Sequence, residues 1–421
     1  MNDTPPWLAR GAAHIWRPYT QMKTAAPPLP VTRTEGARIH LADGRVLIDG
    51  IASWWTACHG YNHPHIIEAM RAQLETMPHV MFGGLAHEQA YRLASRLAAL
   101  LPGDLDHVFF AESGSVAVEI AMKMAVQFHL NAGVRGRTRF VSFRGGYHGD
   151  TFATMSVCDP DEGMHAMFAG VVPAQHVLDL PRDDAGEAAM DAFLAAHADE
   201  IAAIIVEPLV QGAGGMVFHP PEALRRLRRL ADKHGVLLIF DEIFTGFGRT
   251  GSLFAMQQAD VIPDIVTLSK ALTGGVAPLS ATIARKHVFD AFLSDDPAHA
   301  LMHGPTYMAH ALGCAAANAS LDLFERGGWA AQVSAIENHL AAGLAPCADL
   351  PGVADVRVMG AIGAVELKQA PDCQDLIRRF VARGVWIKPF GKTVYLTPAF
   401  IASEDEIAAL TGAICDVLAD G

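Results

Sequence analysis

Apolar residues along this chain fall into two regimes. In one they form short unbroken runs: R-F-V-S-F (Arg139 to Phe143), A-A-I-I-V-E-P (Ala202 to Pro208), V-L-L-I-F-D-E (Val236 to Glu242) and D-I-V-T-L-S-K (Asp264 to Lys270), with a shorter one at H-V-F-F-A (His107 to Ala111). Runs of that length, bounded by turn residues, predict strands buried on both faces, as in a parallel sheet. In the other regime the apolar positions recur at helical spacing: His65 to Leu101, a helix in which Val116, Ile120 and Met124 share a face, Ala185 to Ala196, and Pro221 to His234. Strands alternating with helices of this length predict a doubly wound α/β sheet. Around Asp43-Gly44 the pattern alternates instead and predicts a hairpin over Gly36 to Gly50. The last hundred residues change again, with a long helix from Trp329 and strands near Val353 to Val358 and Gly363 to Leu367, which reads as a smaller α+β lobe. Residues 1 to about 35 are proline-rich and read as an extended arm.

Composition narrows the class. With 421 residues, more than one lobe is expected. A net charge of −13 without a long basic stripe argues against a nucleic-acid surface. The densest basic run, Arg225 to Arg229, alternates with leucine and reads as the solvated face of a helix. The six cysteines, at 58, 158, 314, 347, 373 and 415, show no C-x-x-C and no paired spacing, as expected of reduced thiols in a cytoplasmic protein. The opening M-N-D-T-P-P-W has no signal-peptide pattern, and no apolar run is long enough to span a bilayer. His59, His63 and His65 lack metal-motif spacing and sit in a turn broken by Pro64, so no metal is expected.

The informative feature is an acid and an amine at two strand ends. Asp241 closes V-L-L-I-F-D and Lys270 closes D-I-V-T-L-S-K, at the carboxyl ends where open α/β sheets place their ligands. A nucleotidase would need a phosphate loop upstream; the one G-K-T, Gly391 to Thr393, has Trp386 where the first glycine belongs and leads into a strand. Gly212 to Gly215 lacks dinucleotide-binding spacing, with Pro220-Pro221 before its helix. Two further features fit a different ligand. Ser113-Gly114-Ser115 turns a strand into a helix and offers N–H groups to a phosphate. Tyr147, in R-G-G-Y-H-G-D after another strand, can lie over a flat ring. Pyridoxal 5'-phosphate needs those four things: a lysine for its aldehyde, an acid for its ring nitrogen, a phosphate cup and an aromatic.

D-E-I-F-T-G-F-G-R-T-G followed by P-D-I-V-T-L-S-K-A-L-T-G-G resembles the signature of the class III aminotransferases in order and spacing. W-R-P-Y-T-Q-M, S-W-W, G-Y-N-H-P, F-A-E-S-G-S, G-Y-H-G-D-T, M-H-G-P-T and W-I-K-P-F-G resemble the branch of biotin biosynthesis that moves the amino group of S-adenosyl-L-methionine to 8-amino-7-oxononanoate, giving 7,8-diaminononanoate. The resemblance implies a fold-type I transferase: residues 1–60 as arm and part of a small domain, 61–310 as a large cofactor domain, and 311–421 as the rest of the small domain. It implies a homodimer with active sites at the interface. Lys270 would then hold the cofactor and shuttle protons, with Asp241 as partner of the ring nitrogen. Gly114 and Ser115 would bind the phosphate from one subunit and Pro305 and Thr306 from the other, while Tyr147 would stack near the ring. Tyr19, Trp54, Tyr147, Asp150, Gly304 and Arg249 would contact substrate, Tyr19 counting also among the catalytic residues, and Glu207 would stand near the cofactor or serve as a structural carboxylate.

Two segments depart from the pattern. Lys388 stands where the family usually has an arginine that grips a substrate carboxylate. Lysine keeps the charge without the bidentate fork, which opens the alternatives of a different amino donor, such as lysine, or of another ω-aminotransferase. M-A-H-A-L (Met308 to Leu312) replaces the usual G-N-P-L and brings in His310. A pyridoxal-phosphate-binding protein without catalysis is the remaining alternative.

Overall fold

The computed structural model describes residues 4–161, 165–168 and 170–420. The chain folds as two units: Pro64–Ala330, and a second assembled from both chain ends, Met1–His63 with Ala331–Gly421.

The central sheet of the first unit has seven strands in the order Leu105–Ala111, Ser280–Arg285, Ile265–Leu268, Leu237–Asp241, Ile201–Val206, Arg139–Phe143 and His176–Leu178. All neighbours pair in parallel except Ser280–Arg285, which runs antiparallel to both of its own. Every residue of Ile201–Val206, Leu237–Asp241 and Ile265–Leu268 is buried, which is why these strands carry no polar alternation. Helix Pro221–His234 forms as its sequence predicts. Proline opens it, and Gly235 closes it in the left-handed region, where a glycine has no Cβ to clash, donating its N–H to Ala231 O.

Two expectations change. The stretch from His65 to Leu101 is two helices, Pro64–Thr76 and Glu88–Leu100, because Pro78 and the Gly83-Gly84 pair interrupt the pattern and His87 caps the second helix through its side chain. Of the arginines of Pro221–His234, Arg225 and Arg229 are exposed as expected, whereas Arg226 and Arg228 are largely covered. Arg226, 11% exposed, binds Asp184 at 2.6 Å and also Glu187, and Arg228 binds the buried Asp264 at 2.9 Å. That face is an ion-pair seam.

The second unit holds a four-stranded sheet, Val31–Glu35, Arg38–Leu41, Val46–Asp49 and Val385–Trp386, and a three-stranded one, Val353–Met359, Ile362–Leu367 and Thr393–Leu396. Val385–Trp386 pairs in parallel with Val46–Asp49 and so ties the two ends of the chain together. After Asp49 the backbone does something the sequence does not announce. Ala52, Ser53, Trp54 and Trp55 all have positive φ (43°, 50°, 56° and 73°) and wind as a left-handed turn. Such a turn costs roughly 1–2 kcal/mol per residue. Buried Asp49 offsets this: its carboxylate accepts from Ile51 N and Ser53 N, both at 2.9 Å, and from the Tyr61 hydroxyl at 2.6 Å. Trp54 and Trp55 both belong to this turn.

Candidate active site

Asp241 ends its strand beside Thr267, one strand over, and Lys270 follows Ile265–Leu268 by two residues, so both reach the carboxyl edge of the sheet. Lys270 has φ 47°, a conformation that a lysine occupies only where its surroundings enforce it. Burial pushes its amine down to about 8, against the opposing pull of the nearby charges of Asp241, Glu207 and Asp150. An amine in that range is partly neutral near physiological pH and can act as nucleophile and base.

Asp241 is 4% exposed and fully engaged. Its Oδ2 accepts from His148 Nδ1 at 2.8 Å, and its Oδ1 accepts from Thr267 Oγ1 and Ile243 N, both at 3.2 Å. His148, itself 2% exposed, is the functional residue that sequence reasoning passed over. The available signal was its place beside Tyr147 in G-Y-H-G-D, where an extended backbone turns the two rings to opposite sides. Glu207 also reaches this edge. It accepts from Tyr147 N at 3.0 Å and Gly212 N at 2.9 Å, and burial raises its carboxyl to about 7. Glu242, the second acid of D-E, serves the scaffold: its two oxygens accept from Met256 N and Ala255 N at 2.8 Å, and one also from Thr245 Oγ1 at 3.0 Å.

Helix Gly114–Asn131 begins at Ser113, whose side chain accepts from Val116 N. This leaves the N–H groups of Gly114 and Ser115 at the mouth of the helix. Packing there is tight. A Cβ on Gly114 would lie 3.0 Å from Ile243 Cδ1, and one on Gly149 (φ 128°) would lie 2.4 Å from Ser115 Oγ. Ser115 Oγ accepts from Asp150 N at 3.1 Å, and the Tyr147 hydroxyl donates to Asp150 Oδ1 at 2.9 Å, so helix mouth, acid and aromatic form one connected group. Lys123, on the same helix, donates to Met302 O and lies 3.2 Å from His303 Nδ1, which anchors the start of the Gly304-Pro305-Thr306 turn. Thr306 is exposed. Arg249 lies inside the fold, 2% exposed. His310 has a local reason: its Nδ1 accepts from Gly313 N at 3.4 Å and caps helix Ala311–Glu325, while its ring packs on His79 and Tyr307.

The second unit carries the other candidates. Lys388 Nζ sits 4.2 Å above the centre of the Trp54 ring, and burial holds its amine below lysine's usual range. Both line a cleft of about 1700 Å³ in that unit. Tyr19 is 57% exposed on the arm.

A partly neutral lysine beside an acid, with an anion-binding helix mouth close by, is a site for pyridoxal phosphate, and the group fits the residues present. The close approach of Gly149 to Ser115 keeps the helix mouth open, and three donors orient the Asp241 carboxyl. This fold and site define a pyridoxal-phosphate-dependent aminotransferase of fold-type I. The family profile described as "Aminotransferase class-III" matches residues 19–418, and the chain belongs to that family. It is 44% identical to the adenosylmethionine-8-amino-7-oxononanoate aminotransferase of Corynebacterium glutamicum (95% of this chain, 96% of the relative) and 45% identical to that of Mycobacterium leprae (96% and 95%). Among solved structures it resembles the enzyme of the same description from Methanocaldococcus jannaschii, with TM-score 0.92, 30% identity and 99% of each chain covered. A pyridoxal-phosphate-bound amine transaminase from an uncultivated Pseudomonas species aligns with TM-score 0.89 and 32% identity over 97% of this chain and 98% of that one. Among the described residues no helix is long and apolar enough to cross a membrane.

Proposed function

We propose that this aminotransferase moves the amino group of S-adenosyl-L-methionine to 8-amino-7-oxononanoate, giving 7,8-diaminononanoate in biotin biosynthesis, as a cytoplasmic homodimer. The observation that carries the chemistry is the pairing of a depressed-pKa Lys270 with a hydrogen-bonded Asp241 at one sheet edge. The substrates rest on the near-full-length similarity to relatives of that description.

When bound, pyridoxal phosphate supplies a conjugated ring that takes up the electron pair released at the donor's α-carbon. Lys270 would hold the cofactor, and its Nζ, with a pKa lowered to about 8, would take the donor's α-proton and return it. Asp241 would pair with the ring nitrogen, and His148, 2.8 Å from its Oδ2, would orient that side chain. Gly114 and Ser115 N–H groups would hold the phosphate, joined in the dimer by Pro305 and Thr306 of the partner's turn. Tyr147 would cover the ring, Asp150 and Gly304 would bound the pocket, and Arg249 would help hold substrate. By the family resemblance Tyr19 and Trp54 would contact substrate, and Lys388, which stands over the Trp54 ring, would meet the acceptor's carboxylate. Donor and acceptor use the same pocket in turn, so ping-pong kinetics follow.

Incubation of purified protein with the keto acid and a panel of amines tests this. Diaminononanoate formed with adenosylmethionine supports the reading. Product with lysine but not adenosylmethionine would move the donor assignment, and no product with any donor would sink it.

A further inference from the structure

Three side chains converge at the other end of the sheet. His176 opens the strand His176–Leu178, His197 closes the helix Asp184–His197, and Glu200 immediately precedes the strand Ile201–Val206. Both strands run parallel to Arg139–Phe143, so their first residues lie at the amino edge. Glu207 lies past the far end of Ile201–Val206, about 20 Å away at roughly 3.3 Å per residue.

Glu200 Oε1 lies 2.8 Å from His197 Nδ1 and 3.2 Å from His176 Nε2, and the three side chains' ligand atoms all fall within 4.8 Å of one another. Zinc at about 2.0–2.2 Å from each of four ligands spaces them roughly 3.3–3.6 Å apart, so an ion enters with small adjustments. The frame is already held. Glu200 O accepts from Thr138 N at 2.9 Å and Arg139 N at 2.8 Å, and Glu200 N donates to His197 O at 3.0 Å. Phe193, one helical turn before His197, stacks on its ring (4.5 Å, 27°) and meets His176 edge-on (5.1 Å, 69°), so one apolar wall orients both imidazoles. Hydrogen bonding from His197 holds the Glu200 carboxyl below its usual range. The side chains are 25%, 42% and 42% exposed, which leaves an entry path and room for a water ligand.

We propose that His176, His197 and Glu200 form a site for a divalent transition ion of the zinc class, with water completing a tetrahedron. Two imidazoles and one carboxylate suit zinc, cobalt or nickel and disfavour magnesium and calcium, which take all-oxygen sets. On metallation each ring's proton moves to its other nitrogen, and the carboxylate exchanges two hydrogen bonds for one bond to the ion. The ion ties the edge strand, the helix end and the neighbouring strand together, so its effect is on stability. No sequence motif announces the site, because His176 lies 21 residues before His197.

The test uses untagged holoenzyme freed of metal by chelator and dialysis, titrated with zinc by calorimetry and with cobalt by visible absorbance. Expected are one equivalent per chain, tetrahedral cobalt bands, no response to magnesium, and a melting temperature a few degrees higher with zinc. His197→Gln and, separately, Glu200→Gln, which retains a polar group of the same size, each weaken binding by more than about tenfold. Absence of binding to the parent, or binding unchanged in both variants, overturns the proposal.

Discussion

The bond between His148 and Asp241 makes a sharp prediction. Asp241 Oδ2 receives its shortest hydrogen bond, 2.8 Å, from His148, whereas the donors to Oδ1 stand at 3.2 Å. A hydrogen bond to a charged, buried group contributes about 1.5–3 kcal/mol. His148→Ala removes it without touching cofactor or substrate, and at about 1.4 kcal/mol per decade the loss corresponds to roughly 10- to 150-fold. That loss is expected in pyridoxal-phosphate affinity and kcat together, because Asp241 acts on the cofactor in every step. Truncating a side chain this buried also leaves a cavity and lowers stability. His148→Asn separates the two effects, since its amide nitrogen can donate from near the position of Nδ1. Absorbance titration of the apo-protein with cofactor and steady-state kinetics give the two readouts. Asparagine should recover most of the loss. If alanine leaves affinity and kcat intact and only the melting temperature falls, His148 is packing and the reasoning fails.

Other outcomes follow from the same geometry. Lys270, lowered from 10.5 to about 8, should make cofactor capture by the apo-protein rise about tenfold per pH unit below 8 and level off above it, as stopped-flow absorbance would register. The sign for stability is fixed too: between pH 8 and 10.5 the unfolded chain holds a proton on this lysine that the folded chain has released, so this group's contribution to apo-protein stability rises with pH across that window. Gly149→Ala places a Cβ 2.4 Å from Ser115 Oγ at φ 128°, and should weaken cofactor binding tenfold or so while Gly412→Ala, with open space around it, leaves it unchanged. Lys388→Ala should raise KM for the carboxylate-bearing acceptor by roughly tenfold or more, the worth of one charge-assisted bond, and Lys388→Arg should restore or lower it. An unchanged KM in the alanine variant would remove Lys388 from the acceptor site.

Much of this protein was legible before folding. Runs such as V-L-L-I-F-D and D-I-V-T-L-S-K declare buried parallel strands because both faces must be apolar, and they end on the acid and the amine proposed for the cofactor. The signature around them carries the family. Local signals also placed helix Pro221–His234 to the residue. What the sequence could not decide depends on neighbours far along the chain. His148 becomes functional only because the sheet brings it to Asp241, 93 residues away. The left-handed turn at Ala52–Trp55 contradicts every local preference and exists because Asp49 and Tyr61 hold it from the side. Cys347 and Cys415, unremarkable in spacing, have sulfurs 2.6 Å apart in the fold, and His176 joins His197 and Glu200 only at the amino edge of the sheet. The division has one physical cause: periodicity and turn chemistry act over a few residues, while burial, charge pairing and pKa depend on which surfaces the fold presses together.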